Sequence, residues 1–380
     1  MTLVAGRAKS RLEPATHALV VGVGEYPHLE GGTGPRALDA EGLKQLTSPP
    51  VSACAFVDWL HELHNPAAPL GSIELLLSPG DTYVSPDGRR ATKVEPATWR
   101  NIARAYQRWY ARCDGNTNNV AIFYFCGHGL ERETLALLPA DFGRYKLSAF
   151  ATAIHFNKTY YAMSSCRART QCFFIDTCRE VSPKLLANTA FGGQSLGEPD
   201  LLNQRRRTAP ILYATASGYS AFGEERQVSR FTSALLAALQ GGGAKKELRR
   251  WVISTDRLAT SVKLIINKQN ETLPPYKQQD AMTGGDFGLP AIIHELADAP
   301  TVPTVVDCVP EAANAAAELY LHGRLAQYRR ARGTTGPWRQ LIKAGAYDAG
   351  AIFQADAGFQ DLVEDEWVEP PEHQICLEAR

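Results

Sequence analysis

Two apolar runs in this 380-residue chain each stop at one reactive side chain. The first reads Asn119-Val120-Ala121-Ile122-Phe123-Tyr124-Phe125-Cys126-Gly127-His128-Gly129, and the second Gln171-Cys172-Phe173-Phe174-Ile175-Asp176-Thr177-Cys178-Arg179-Glu180. If both runs are buried parallel strands lying side by side, an imidazole and a thiol meet above the edge of the sheet. That pairing is the minimum equipment of a cysteine peptidase. A free thiol ionises near about 8.5, so little thiolate exists at neutral pH without help. A positioned histidine that takes the thiol proton, or returns one to a leaving amine, contributes about 10²–10⁴-fold. Gly127 and Gly129 on either side of His128 let backbone approach a scissile carbonyl with no Cβ in the way.

The elements needed to hold such a pair can be read from periodicity. His17 to Gly24 is a compact apolar run bounded by glycine, and Ser72 to Leu77 is a second strand-like run. Val51 to His64 and Pro96 to Arg112 carry apolar residues at helical spacing; Trp99, Ile102, Ala103, Tyr106 and Trp109 line one face of the latter. Thr134 to Leu138 reads as a strand, the stretch from Arg144 as helix, Ile211 to Ala214 as a strand, and Arg230 to Leu239 as a helix stopped by Gly241-Gly242-Gly243. Strand alternating with helix predicts an α/β fold, a mainly parallel sheet flanked by helices on both faces. Functional residues of such sheets gather outside the carboxyl ends of strands, where His128 and Cys178 fall. After Pro300 and Pro303 the pattern changes to short alternating runs between turn residues, which predicts a small β-sandwich-like domain over 299–380. Residues 1–16 read as a flexible tail, and 17–298 as the main domain.

Composition narrows the partners. Forty basic and forty acidic residues cancel, which argues against a nucleic-acid binder. No apolar stretch approaches the roughly 20 residues of a membrane helix, and none follows the basic N-terminus as in a signal peptide. The eight cysteines are dispersed, without the close pairs of a metal site or the density of a disulfide framework, so reduced thiols and a cytoplasmic location are expected. Cys126 and Cys172 lie inside the apolar runs and read as packing residues. A Cys126/His128 metal pair lacks further ligands at suitable spacing. Neither a metal nor a cofactor is expected.

Phe-Cys-Gly-His-Gly and Ile-Asp-Thr-Cys-Arg, together with Ala-Leu-Val-Val-Gly-Val-Gly-Glu-Tyr-Pro at the first strand, resemble the caspase/metacaspase family of cysteine peptidases, most closely its prokaryotic members. The likeness covers about residues 17 to 290. The interval from His128 to Cys178, 178 − 128 = 50, matches a caspase-type histidine placed about 50 residues upstream of its cysteine. The resemblance implies a catalytic dyad of His128 and Cys178 and an oxyanion hole formed by the amides of Gly129 and Cys178. It also implies an S1 pocket built on Asp176, where caspases carry Gln and take aspartate while metacaspases carry Asp and take Arg or Lys. A carboxylate there attracts a guanidinium and repels an aspartate, so cleavage after arginine or lysine is expected. One alternative for Asp176 is a cap on a neighbouring turn or helix. The further acids that metacaspases bring to this pocket are missing from Pro49-Pro50-Val51-Ser52-Ala53. They are missing too from Ala216-Ser217-Gly218-Tyr219-Ser220-Ala221, whose nearest acids are Glu224 and Glu225. A single pocket charge implies a looser preference. No carboxylate cluster suggests the calcium dependence seen among metacaspases.

Relatives are commonly cut in the linker after the cysteine strand. Here that linker, 180–210, carries Arg205-Arg206-Arg207, a site an arginine-directed enzyme would cut in cis, in trans, or leave to an upstream activating protease. A solvated basic loop is the plain alternative. The reading is thus a latent, caspase-like thiol protease acting on protein substrates and activated by processing. Kinship further implies a stress, cell-death or antiviral defence setting. Two alternatives use the same residues: a catalytically silent caspase-like scaffold that binds partners through the C-terminal domain, and a peptide transferase or ligase with the same dyad.

Overall fold

The computed structural model describes residues 2–6, 13–37, 42–179, 191–200, 202–216 and 225–380. Among them the central sheet runs in the order Leu3–Gly6, Leu70–Ser78, Thr16–Val23, Val120–Gly127, Thr170–Thr177, Ala209–Tyr213, Met282–Asp286, with Glu95–Pro96 paired to Leu70–Ser78. The five strands from Leu70–Ser78 to Ala209–Tyr213 are mutually parallel; the two edge strands are antiparallel.

Both faces of this sheet are covered, which is why its strands read as unbroken apolar runs. Alternate residues serve opposite layers. Phe123 and Phe173 pack toward Trp109 of the Trp99–Cys113 helix and Phe156 of the Phe156–Ala162 helix. Tyr124 and Phe174 meet Phe56 of the Ser48–Glu62 helix, whose ring lies 4.7 Å from that of Tyr124. The Trp99–Cys113 helix is started by Thr98, whose side chain accepts the Asn101 N–H, and is tied to the sheet by Trp109 Nε1–H on the His17 carbonyl at 2.9 Å.

Several expectations need correction. The N-terminal tail includes a strand: Leu3–Gly6 adds to the Leu70–Ser78 edge, with Thr2 and Val4 buried. Its anchor is Glu74, a buried carboxylate that Thr2 Oγ1, Arg108 and Arg112 all hydrogen-bond. The stretch from Arg144 begins as turns; a short 3₁₀ turn over Ala149–Thr152 precedes the helix, which starts only at Phe156. The Thr255–Asn270 helix was not foreseen, although buried Leu258, Val262 and Ile266 recur at four-residue intervals.

The chain divides into two compact units, residues 1–236 with 266–293 and residues 237–265 with 294–380. The second unit therefore takes in 237–265 as well as the C-terminal region. That unit is β-rich. One sheet runs Trp338–Lys343, Thr301–Val309, His373–Glu378; another runs Gln327–Arg330, Glu318–Gly323, Gly345–Ile352, Leu362–Val368. Alternate residues Val302, Thr304, Val306 and Cys308 are buried along the central strand of the first, the pattern of a sheet with one covered face.

Glu74→Gln keeps shape but removes the charge facing two guanidiniums, and should lower the unfolding free energy by about 2 kcal/mol in chemical denaturation. Burial pushes the Glu74 carboxyl up, but hydrogen bonds from Arg108, Thr2 and Arg112 outweigh it and hold it below its ordinary value. Its stabilising contribution is therefore full at neutral pH and lost as pH falls below about 4.3. A variant as stable as wild type at pH 7 would contradict this anchoring role.

Candidate active site

The Val120–Gly127 and Thr170–Thr177 strands pair in parallel through eight successive residue pairs, from Val120↔Thr170 to Gly127↔Thr177. Ending both strands at the same level puts His128 and Cys178, the next residue of each, on neighbouring strand ends about 4.8 Å of sheet spacing apart. Both line one pocket of about 240 Å³, with Asp176, Thr177, Cys126, Glu225 and Ser229. The sheet carries the imidazole and the sulfur to a common cavity.

His128 is buried and held from three sides. Its Nε2 lies 2.7 Å from the Lys44 carbonyl, which can only accept, so Nε2 bears the hydrogen and the neutral ring keeps its lone pair on Nδ1. Its backbone N–H donates to the Tyr26 hydroxyl at 2.8 Å, and the Tyr26 ring packs 4.9 Å from the imidazole. Burial lowers the His128 pKa below that of a free histidine, opposed by the Lys44 carbonyl. The ring is consequently neutral, and basic at Nδ1, at neutral pH.

Glycine is required on both sides of His128 by space. A Cβ on Gly127 would stand 2.8 Å from the Tyr26 hydroxyl; one on Gly129 would stand 2.5 Å from Thr177 Oγ1 and 2.8 Å from the Cys178 carbonyl. Gly129 thus lies directly against the backbone that carries the thiol. Beyond Cys178, Arg179 is clamped: its Nη2 donates to Glu131 at 2.7 Å, its Nη1 to the Thr215 carbonyl, and its guanidinium lies 4.2 Å over the Tyr213 ring. Cys178 itself is half-buried.

Asp176 is 4% exposed and lines the pocket. Its Oδ2 accepts from Ser229 Oγ, from Thr232 Oγ1 at 2.7 Å and from Cys126 Sγ at 3.3 Å. Ser229 in turn accepts the Thr232 N–H, the N-cap arrangement of the Arg230–Ala237 helix. Asp176 therefore binds the Ser229 and Thr232 side chains at a helix start whose cap is Ser229, and also lines the cavity. Burial pushes its carboxyl up, against the lowering pull of Ser229, Thr232 and Cys126. Glu225 supplies a second carboxylate to the same pocket, which the sequence reading had placed only as a nearby acid; Glu224 and residues 217–223 lie outside the described residues. Cys126 and Cys172 are buried, the first held well above an ordinary thiol pKa by burial and Asp176, the second pushed by burial to about 12.

The arginine triplet is elsewhere. Thr208 bridges Thr170, at the amino end of the cysteine strand, about 25 Å of strand rise from Cys178. Arg205 and Arg206 are exposed, but Arg207 is withdrawn from the candidate processing site. Its guanidinium is buried on Asp286 at 3.0 Å, Gln171 at 2.8 Å and the Tyr160 carbonyl. The linker residues 180–190 and 201 lie outside the described residues.

Three residues of the site escaped the sequence reading. Tyr26 stood within the quoted Gly-Glu-Tyr-Pro run with no role attached. Lys44 acts through its carbonyl, which no side-chain pattern reveals. Ser229 lies 53 residues from the Asp176 it serves, and nothing local marks the contact.

A family model described as the caspase domain matches residues 15–283, so the chain belongs to the caspase-like cysteine peptidase family. An uncharacterized protein of Sinorhizobium fredii is 27% identical over 309 residues, covering 79% of this chain and 87% of that protein. A protein of a Desulfuromonadales bacterium named "probable protease" is 30% identical over 217 residues, 53% of this chain and 25% of that much longer protein. The crystal structure of caspase-1 from Spodoptera frugiperda aligns with a TM-score of 0.45 at 12% identity, over 77% of this chain and 96% of that one. No helix among the described residues is long and apolar enough to cross a membrane.

Gly129→Ala forces a Cβ into Thr177 and Cys178. It should lower kcat/KM on any cleaved peptide by about a hundredfold and lower the melting temperature as well, because the displaced atoms are buried Thr177 and the backbone of Cys178. Wild-type kinetics in this variant would show that the close approach is irrelevant to the site.

Proposed function

We propose that the protein is a cysteine endopeptidase in which Cys178 attacks the scissile carbonyl and His128 manages the proton. The observation that carries this reading is the shared pocket: a neutral, oriented imidazole and a half-buried thiol on adjacent strand ends. His128 Nδ1 takes the Cys178 proton as sulfur bonds to the carbonyl carbon. The amides of Gly129 and Cys178 are the proposed donors to the resulting oxyanion, one such donor being worth about 10²–10³ in rate. Collapse to the thioester expels the amine, which receives the proton from His128. Water then attacks with His128 as base, releasing the acid and restoring the thiol.

The same cavity supports a preference for cleavage after Arg or Lys. Asp176 and Glu225 are its carboxylates among the described residues, none of which lines it with a Lys or Arg. A guanidinium entering beside Asp176 supplies the cation that its buried carboxyl lacks, favouring the ionised form. Latency before proteolytic processing remains part of the proposal, at Arg205 or Arg206. The placement of these residues at the far end of the sheet favours a cut made by a second copy or another protease over a cut in cis.

The test is turnover of fluorogenic peptides ending in Arg, Lys, Asp or a neutral residue, before and after limited proteolysis. Arg and Lys peptides should be cleaved, and Cys178→Ala and His128→Ala should abolish this. Asp176→Asn should cost at least about a hundredfold in kcat/KM on the Arg peptide, and Glu225→Gln, at an exposed position, less than about fivefold. Preferential cleavage after Asp would refute the basic preference; no turnover by any form would favour a silent scaffold.

The pH profile has a definite sign. Because burial lowers the His128 pKa, its basic form persists below about 6.5, and the acid limb of kcat/KM for a neutral-ended peptide should lie beneath that value. An acid limb above about 7 would contradict the neutral, buried base.

A further inference from the structure

At the amino end of the central strands, opposite the pocket of His128 and Cys178, lies a second and larger cleft of about 1010 Å³. Five arginines line it, Arg167, Arg169, Arg205, Arg206 and Arg207, and among the described residues no Asp or Glu does. Arg207 is occupied by Asp286, Gln171 and Tyr160. Arg205 is exposed, with only a weak 3.4 Å contact from Nε to the Ser165 carbonyl. Arg167, Arg169 and Arg206 are exposed, and among the described residues no carboxylate forms an ion pair with any of them. Asp114 accepts the backbone N–H of Arg167, and Asp286 is paired with Arg207. In a chain whose charges cancel overall, an unneutralised guanidinium cluster in one concave site is a local excess that a bound anion would relieve.

We propose that this cleft binds an acidic peptide segment of a partner protein. Its size exceeds what a single phosphate fills. Among the described residues its lining carries no aromatic side chain, the stacking platform on which single-stranded nucleic acids are held. Leu289, 86% exposed, and Ile292 line the same cleft and offer apolar contacts, suited to a chain that carries both carboxylates and aliphatic residues. Guanidiniums pair with carboxylates in forked, two-bond geometry. An occupant also covers Arg205 and Arg206, so it would shield these two exposed residues from proteolysis.

Fluorescence anisotropy of a labelled peptide of alternating glutamate and leucine, titrated with full-length Cys178→Ala protein, tests this. Binding should weaken with added salt, fail for the matching glutamine–leucine peptide, and fall at least about tenfold in the Arg167→Gln/Arg169→Gln variant, whose altered side chains are exposed and bear no folding load. The glutamate peptide should also slow trypsin cleavage after Arg206, a readout independent of the protein's own activity. Absence of binding at low salt, binding indifferent to the double variant, or no slowing of trypsin would overturn the proposal. Tighter binding of single-stranded DNA or of pyrophosphate than of the peptide would overturn it too, marking a nucleic-acid surface or a small-anion site.

Discussion

Parallel pairing of the Val120–Gly127 and Thr170–Thr177 strands, held in register along their whole length, is the constraint from which the site follows. Residues 50 positions apart in sequence become neighbours because both strands stop at the same height. Slipping the register by one residue would exchange the faces of every side chain on one strand. The aromatic contacts forbid that: Phe123 and Phe173 belong to the layer of Trp109 and Phe156, Tyr124 and Phe174 to the layer of Phe56. The core therefore fixes where His128 and Cys178 stand, just past the strand ends, as a consequence of packing.

What lies past them is unusually dependent on backbone. His128 is oriented by a carbonyl and a phenol, neither of which changes charge at neutral pH; burial drives the Tyr26 pKa up and keeps that hydroxyl intact. Asp176 and Glu225 bring carboxylates to the pocket, and the hydrogen bonds of Asp176 to Ser229 and Thr232 tie it to the start of a helix. One carboxylate thus serves both fold and cavity. Isolated, its charge is costly to bury; a cationic side chain in the pocket would complete it.

The main sheet was legible because its strands are strongly apolar and its helices amphipathic, and the two reactive side chains stood out because each interrupts such a run. Edge and turn elements were less so. Leu3–Gly6 is too short to announce itself, and its strand state depends on Glu74, 71 residues from Leu3 in sequence and its register partner. Arg205 to Arg207 read as one basic loop, yet the fold separates them: Arg207 reaches inward to Asp286, a partner 79 residues on, while its neighbours face solvent. Local pattern reports what a residue could do, and long-range contacts decide which of several identical residues does it.

The relation between the two reactive groups can be measured without knowing a substrate. Alkylation of Cys178 by iodoacetamide, followed by mass spectrometry of its peptide, reports the availability of the thiolate. The buried Cys126 and Cys172 provide internal controls. If the imidazole acts on the sulfur, Cys178 reacts far faster than either control at pH 7, and His128→Ala slows it by about tenfold. Equal alkylation rates in wild type and His128→Ala would show that the two groups share a pocket without sharing a proton.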